Sequence, residues 1–412
     1  MTKKVILVWF RNDLRIHDNE ILHEAVQKGD IVIPVYFFDP RYFKINKAGF
    51  QKTGITRAKF LLEAVNSFKS TLQEIGADLL VFHEKPEDII GTLCAKYEVT
   101  EVYHHREVAQ RETSISERVE ETLWKEKINL KHFIGHTLYH KEDLPIPIRD
   151  IPDSFNAFKK KVEKESFVRP VLPPVSHITT HPHLELTRAP TLEELGFSTE
   201  IIATLDDITN PIKGGEEQAL KMIEMTLSVD YNEENDYNLI SPYIANGAIS
   251  PAFYYHKIKE HYTPSNRKKY DRLLMRLLWR DYFRFMLKKY ANIFFKPNDL
   301  DKRTWASKED LCTFMTNSKQ PVIEKLFREL QNTGNLPYEH RDILGAYMLQ
   351  EWNVNHITGA RLFEEYLLDY APATTYGYWL HFAGFGTSPK DNLKASWEEL
   401  LKKNYQAKTL VK

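Results

Sequence analysis

Two short runs of nearly unbroken apolar residues, Lys4-Val-Ile-Leu-Val-Trp-Phe10 and Ile31-Val-Ile-Pro-Val-Tyr-Phe-Phe38, are separated by enough chain for one helix. A strand with one wet face alternates polar with apolar side chains, so runs as even as these are read as strands covered on both faces, as in a parallel sheet. The same type recurs at Asp78 to His83, at Thr100 to His105 and near 129 to 134, with helical patterns near 56 to 76, 86 to 97 and 108 to 126. Strand and helix in alternation predict a doubly wound α/β domain over residues 1–137. No G-x-G-x-x-G follows the first strand, so the phosphate-binding turn of a nicotinamide enzyme is missing.

From 138 to 213 the chain turns rich in proline and polar residues (Leu144-Pro-Ile-Pro, Arg169-Pro-Val-Leu-Pro-Pro), with one short basic helix near 154 to 165, and reads as a connector. From 214 to 412 strand signals fade and helical patterns with short breaks predict an all-α domain. Aromatics make up 12% of 412 residues, an excess over packing needs that hints at a cofactor or a stacking site. A net charge of -1 excludes a uniformly basic nucleic-acid binder and leaves a local basic face open. The two cysteines, Cys94 and Cys312, lie far apart without ligand spacing, so neither a disulfide framework nor a metal site is expected. No apolar run reaches membrane-span length and the opening residues lack a signal-peptide pattern, which predicts a cytoplasmic protein, expected as a monomer.

The densest charge pattern lies in 267–289, where Lys268, Arg272, Arg276, Arg280, Arg284 and Lys288 recur every fourth residue among Trp279, Tyr282, Phe283 and Phe285. On a helix this is a slowly drifting cationic ridge able to neutralise phosphates, and a solvated helix face gives the same pattern. Arginine predominates and shares the segment with tryptophan and leucines, which predicts that some of these arginines are buried. Asn238 and Ser241 stand just before a Gly/Ala-containing helix, where free backbone N–H groups offer a phosphate grip; a plain helix cap uses the same residues. Asp369, after an apolar helix, needs a cation if buried, and Arg341 is the candidate; such a pair beside aromatics could hold a polar heteroaromatic ring.

The opening Val8-Trp-Phe-Arg-Asn-Asp-Leu-Arg-Ile-His-Asp-Asn19 resembles the N-terminal signature of the cryptochrome/DNA photolyase family. Agreement continues through Thr137-Leu-Tyr-His-Lys-Glu-Asp-Leu-Pro145, Arg169-Pro-Val-Leu-Pro173, Leu278-Trp-Arg-Asp-Tyr-Phe-Arg-Phe285 and Trp379, and is similar above all to the DASH cryptochromes. The resemblance implies an α/β antenna domain and a helical domain holding FAD at the base of a cavity in a basic face. It also implies that Tyr237, Asn238, Leu239, Ile240 and Ser241 form the phosphate-binding loop, with Tyr237 in place of a threonine. Trp279 and Arg280 fall beside the cofactor cavity, and Arg341 and Asp369 on the pair at the flavin edge. An antenna folate (methenyltetrahydrofolate) or deazaflavin is implied by kinship, with Glu142 in the stretch that resembles its site.

Several positions depart from the family. Thr375 stands where an asparagine faces flavin N5, Ala371 replaces a second acid, and Tyr338 replaces an asparagine in the cavity. In the lesion pocket a glutamate is Arg276 here, an arginine is Glu339 and a stacking tryptophan is His381. The paired exchange of sign predicts a salt bridge between Arg276 and Glu339. The histidine of the (6-4) photolyases is displaced, since Tyr338 holds its place and His340 lies two further on. The electron-relay tryptophans map onto Trp379, His356 and Trp305, so the middle carrier is a histidine; Trp352, Tyr376 or Tyr378 could substitute. Three functions are open on these grounds. The first is a blue-light-absorbing, cryptochrome-like flavoprotein with a DNA-facing basic surface; the second is a photolyase, a carbon-carbon lyase that splits pyrimidine dimers by electron transfer from FADH⁻. The third is a cofactor-poor nucleic-acid-binding relic.

Overall fold

The computed structural model describes residues 3–207, 212–228, 236–291, 293–298, 300–392 and 394–404. Five strands, β1 (Val5–Phe10), β2 (Ile31–Phe37), β3 (Leu80–Phe82), β4 (Glu101–His105) and β5 (Asn129–Phe133), form one parallel sheet in the order β3-β2-β1-β4-β5. Every residue of β1 and β2 is buried, as the even apolar runs predict. One face packs Ile6, Val8 and Phe10 with Phe68 and Leu72; the other packs Leu7 and Trp9 with Leu93 and Val119. The covering helices are α1 (Glu20–Lys28), α2 (Ile55–Glu74), α3 (Pro86–Lys96) and α4 (Gln110–Lys125). The connector carries the expected basic helix as α5 (Phe155–Glu165), and a short α6 (Thr199–Ala203).

The helical region contributes α7 (Glu216–Leu227), α8 (Asp236–Ala245), α9 (Pro251–Glu260), α10 (Arg267–Lys289), α11 (Lys308–Thr316) and α12 (Pro321–Thr333). These are followed by α13 (Tyr338–Gln350), α14 (His356–Tyr366), α15 (Pro372–Phe382) and α16 (Trp397–Asn404). Among the described residues no helix is long and apolar enough to cross a membrane.

Ligands of open α/β sheets gather beyond the carboxyl ends of the strands, where the strand order reverses. Here that edge faces the helical region, in contact along part of it and across a space of about 160 Å³ elsewhere. Beyond β1, Asp13 pairs with His105 at 2.6 Å and accepts from the Arg11 N–H, and Arg15 reaches across to the Gly247 carbonyl at 2.9 Å. Gly247 sits at φ +76°, and a Cβ there would overlap the Asn12 carbonyl oxygen, so only glycine lets the two backbones meet. The same seam holds Glu107, which accepts from Asn12 at 2.9 Å and pairs with Arg284 at 3.0 Å.

Candidate functional site

Helix α10 is the common wall of seam and site, and its cationic ridge changes character along its length. Lys268 and Arg272 are exposed, Arg276 is half-buried, and Arg280 and Arg284 are only 6% and 7% exposed. A step of four residues overshoots a 3.6-residue turn by ~40°, so the ridge winds to another side of the helix. Burial of some arginines is therefore as predicted, but Arg280 and Arg284 do not continue a ligand-facing surface. Arg280 donates to the carbonyls of His136 and Ile244, and Arg284 to Glu107. Between them Asp281 accepts the backbone N–H groups of Leu138 and Tyr139, each at 2.9 Å. Burial pushes the Asp281 carboxyl up to about 7.

The middle of α10 faces a cavity shared with α13 and α15. Arg276 and Glu339 meet at 3.1 Å, well within the distance their exchanged signs imply. Arg341 and Asp369 also meet at 3.1 Å, both nearly excluded from water, and Arg341 donates further to the Leu336 carbonyl at 2.6 Å. Tyr338 lies between the two arginines, with the Arg276 guanidinium 4.1 Å and that of Arg341 4.4 Å from its ring centre. Its ring, with Arg276 and Trp279, lines two spaces. One, of about 190 Å³, is lined by Tyr237, Asn238, Arg272, Arg276, Trp279 and Tyr338. The other, of about 210 Å³, is lined by Arg276, Trp279, Tyr338, Asp342, Tyr378 and His381, among others. Trp279 walls both and is held flat against Phe155 of α5, ring centres 3.7 Å apart and planes within 6°, so the connector closes this side.

The second space is polar in an unusual way. Thr374 Oγ1, Tyr378 OH and both ring nitrogens of His381 are buried without a hydrogen-bond partner among the described residues. Burial lowers the His381 imidazole to about 4, keeping it neutral at pH 7, while burial raises the Asp342 carboxyl to about 7 against the pull of Arg276. Asp342 escaped the sequence reading. Its signal was an acid at a helix position whose neighbours Ile343 and Leu344 are core, next to Arg341.

Around the first space one expectation is corrected. Asn238 and Ser241 do not stand just before a helix; both lie inside α8, which ends at Ala245, and α9 starts afresh at Pro251 behind a Ser250 cap. Pro242 inside α8 has no N–H to give to the carbonyl four residues back, which is that of Asn238, and the Ser241 hydroxyl faces the same carbonyl at 3.5 Å. Ser241 is thus occupied with its own helix, and Leu239, Ile240 and Ser241 line neither space. Asn238 does line the first, and its Oδ1 is buried without a partner among the described residues. Thr375 and Ala371 are placed on and before the first turn of α15, lining neither space, and Thr375 is buried. Glu142 is exposed, 3.7 Å from Arg169.

The three relay positions follow α14. Trp379 is buried against Gly359, His356 begins the helix with its Nδ1 2.7 Å from Asp301, and Trp305 is half exposed beside the bridge from Thr304 to Val354. Of the substitutes, Trp352 stacks on Phe314 at 4.6 Å and Tyr376 donates to Glu364 at 2.6 Å, both core roles, whereas Tyr378 lines the second space.

These groups suit a flavin dinucleotide in kind. Asp369 Oδ1 and Asn238 Oδ1 are buried acceptors left without partners among the described residues, and the Arg341–Asp369 pair offers a fixed donor-acceptor edge beside aromatic walls. A 150 Å³ cavity holds about one benzene ring, so neither space alone admits such a cofactor; Arg276, Trp279 and Tyr338 line both, and Arg341 and Asp369 line neither. An α/β domain docked through its strand ends onto a helical domain with this cavity defines a photolyase-type flavoprotein architecture.

Comparison with known proteins agrees. Residues 6–176 match the family model for DNA photolyase and 273–399 that for the FAD binding domain of DNA photolyase. The chain is 34% identical to a DASH cryptochrome of Danio rerio over 95% of its own length and 79% of that protein. The crystal structure of the Synechocystis cryptochrome superposes with a TM-score of 0.87 at 30% identity, covering 98% of this chain and 87% of that one. An archaeal photolyase from Sulfolobus tokodaii, solved with two FAD molecules, shares the fold at 22% identity and a TM-score of 0.74 over 98% and 88% of the two chains. The chain belongs to the cryptochrome/DNA photolyase family, as a cryptochrome-like flavoprotein with DASH cryptochromes among its relatives.

Proposed function

We propose that this chain holds FAD in the helical domain and works as a blue-light-absorbing photoreceptor of cryptochrome type rather than as a repair enzyme for pyrimidine dimers. The observation that carries this reading is that the buried Arg341–Asp369 pair is kept behind the Tyr338 ring, while the cavity that ring lines carries the Arg276–Glu339 bridge and a neutral His381. FAD, when bound, supplies blue absorption and one-electron chemistry. Arg341 and Asp369 would hold its ring edge, Asn238 would donate or accept at its polar chain, and Trp279 backed by Phe155 would exclude water. Trp379, His356 and Trp305 mark a route from core to surface, on which Asp301 fixes the His356 ring. The reading assigns residues 1–137 to an antenna domain, 138–213 to the connector and 214–412 to the FAD domain, in a cytoplasmic protein.

An antenna pigment belongs to the same proposal. The space between the strand ends of the α/β domain and the helical region, about 160 Å³ and lined by Trp9, Arg11, Tyr36, Asp39, Arg57 and Tyr370, suits a flat aromatic ring with polar edges better than the exposed Glu142 does. The exposed start of α10, with Arg267, Lys268 and Arg272, is the surface offered to DNA phosphates, and binding there should weaken steeply with salt. The deciding measurement is an absorption spectrum of the purified protein, dark and after blue light with a reductant. Blue flavin bands that bleach support the reading; a colourless protein that FAD does not reconstitute refutes it. The photolyase alternative has its own test: Arg276→Glu with Glu339→Arg and His381→Trp should create or raise dimer repair if those changes alone removed it.

A further inference from the structure

Thr374, Tyr378 and His381 stand at steps of four and three residues along α15, which places them on one face of that helix. All three line the second space, and Thr374 Oγ1, Tyr378 OH and both His381 ring nitrogens are buried without a hydrogen-bond partner among the described residues. Unpaired buried atoms are costly to a fold, so a helix that turns a stripe of them toward one cavity points to something that pairs them. Packing rather than hydrogen bonding holds the His381 ring: the rings of Trp279, Tyr282 and Phe283 meet it edge-on, with centres 6.0, 6.1 and 5.3 Å away. Kept neutral by burial, it offers one N–H and one bare nitrogen, and each hydroxyl both donates and accepts. The charged neighbours are engaged elsewhere, Arg276 with Glu339, Arg280 with two carbonyls and Asp391 with the Phe155 N–H, while burial raises the Asp342 carboxyl to about 7. The groups left free on the stripe are neutral donors and acceptors.

We infer that this space binds one neutral planar heterocycle with donors and acceptors on its ring edge, the chemistry of a single nucleobase. The walls suit a flat ring, since Trp279 lies against Phe155, and Phe283, Tyr338 and Phe382 continue the aromatic lining. Water would pair the polar stripe but gains nothing from those faces, whereas a heterocycle uses both. Size restricts the ligand further. The space, about 210 Å³, exceeds the ~150 Å³ that takes one benzene ring and falls short of the ~300 Å³ that two separate rings need on that scale. One base is therefore admitted and a dimer of two is not. Neither Arg341 nor Asp369 lines this space, so the inference stands apart from the FAD reading.

The test is titration calorimetry of the full-length protein with uridine at pH 7, before and after FAD is added. Uridine should bind, and a dinucleotide carrying a thymine cyclobutane dimer should not. His381→Leu should weaken uridine by about tenfold or more, and Tyr378→Phe or Thr374→Val by about threefold each, since each removes one or two of the pairing atoms. The double variant Tyr378→Phe with His381→Leu shows that the cavity persists: it should take up benzene, which the wild type refuses, while losing uridine. Absence of uridine binding to the folded protein, or equal binding by wild type and all three single variants, would overturn the inference and leave the stripe to water. The dimer binding as tightly as uridine would overturn the restriction to one base. Release of uridine on adding FAD would overturn the inference as well, because the space would then belong to the flavin site. Failure of the FAD reading alone looks different, with uridine bound and FAD not.

Discussion

Two stretches of one helix, the middle and the last turns of α10, show opposite ways of burying polar groups. At the seam its last turns bring Arg280, Asp281 and Arg284 against the α/β domain, and there the carboxylates are satisfied: Glu107 by Asn12 and Arg284, Asp281 by two backbone N–H groups, Asp13 by His105 and the Arg11 N–H. In the cavity its middle turns face Asn238, Thr374, Tyr378 and His381, each with a buried polar atom that finds no partner among the described residues. An unpartnered buried group costs ~1–3 kcal/mol. The seam spends its carboxylates on holding two domains together, although Arg284 Nε and the Nε2 atoms of His105 and His136 also lack partners among the described residues, whereas the cavity leaves acceptors and hydroxyls available for something that arrives later. Both lie on a single helix, and the sequence pattern of every fourth residue basic runs through both without a break.

The largest effect should come from breaking the seam. Arg284→Leu leaves Glu107 buried without its main cation and should destabilise the protein by ~3–5 kcal/mol in denaturant titration. The same substitution logic applied to the cavity should give far less, and equal losses at the two places would erase the contrast.

A pH series sharpens it next. Asp281, raised to about 7 by burial, keeps a proton in the folded chain that the unfolded chain loses near 4. Stability should fall as pH climbs from about 4 to about 7, by a few kcal/mol at most, and Asp281→Asn should abolish that fall. Glu107 bends the acid side the other way: burial raises its carboxyl, but His136 and Arg284 outweigh this and hold it well below the ordinary range. Its stabilisation is complete above the usual carboxylate value and is lost as pH drops further.

In the cavity, His381→Phe removes two orphaned nitrogens and should stabilise the apo protein by ~1 kcal/mol while weakening whatever the space binds, checked by thermal unfolding with and without FAD. The smallest effect belongs to Arg276 and Glu339. Their side chains are 31% and 42% exposed, so a double-mutant cycle should return a coupling of ~0.2–1 kcal/mol.

Much of this was legible in the chain. Strands packed on both faces announce themselves as even apolar runs, and β1 and β2 lie within a residue of the runs that predict them. The Arg341–Asp369 pair was readable because a buried charge requires an opposite one, and the Arg276–Glu339 pair because two positions exchange sign together against the family pattern. What was not legible is set by partners far away in sequence. Arg284 meets a glutamate 177 positions earlier, and nothing local distinguishes it from the exposed Arg272 on the same ridge. Ser241 was misplaced because serine before proline reads as a helix start, yet here the proline sits inside α8 and the serine mends the carbonyl it leaves open. The clamp on Tyr338 joins α10 to α13 and could not be seen from either alone.

The contact of Gly247 with Asn12 also bears on how the chain reaches its native state. A loop that leaves the first strand and a turn more than two hundred residues later fit only backbone to backbone, so neither surface is finished until the other is present. The α/β half and the helical turn at Gly247 are therefore not independent surfaces strung on a connector. Synthesis must run past the turn at Gly247 before the mouth of the sheet can close, and until then the nascent α/β half exposes the Asp13, His105 and Glu107 cluster to water.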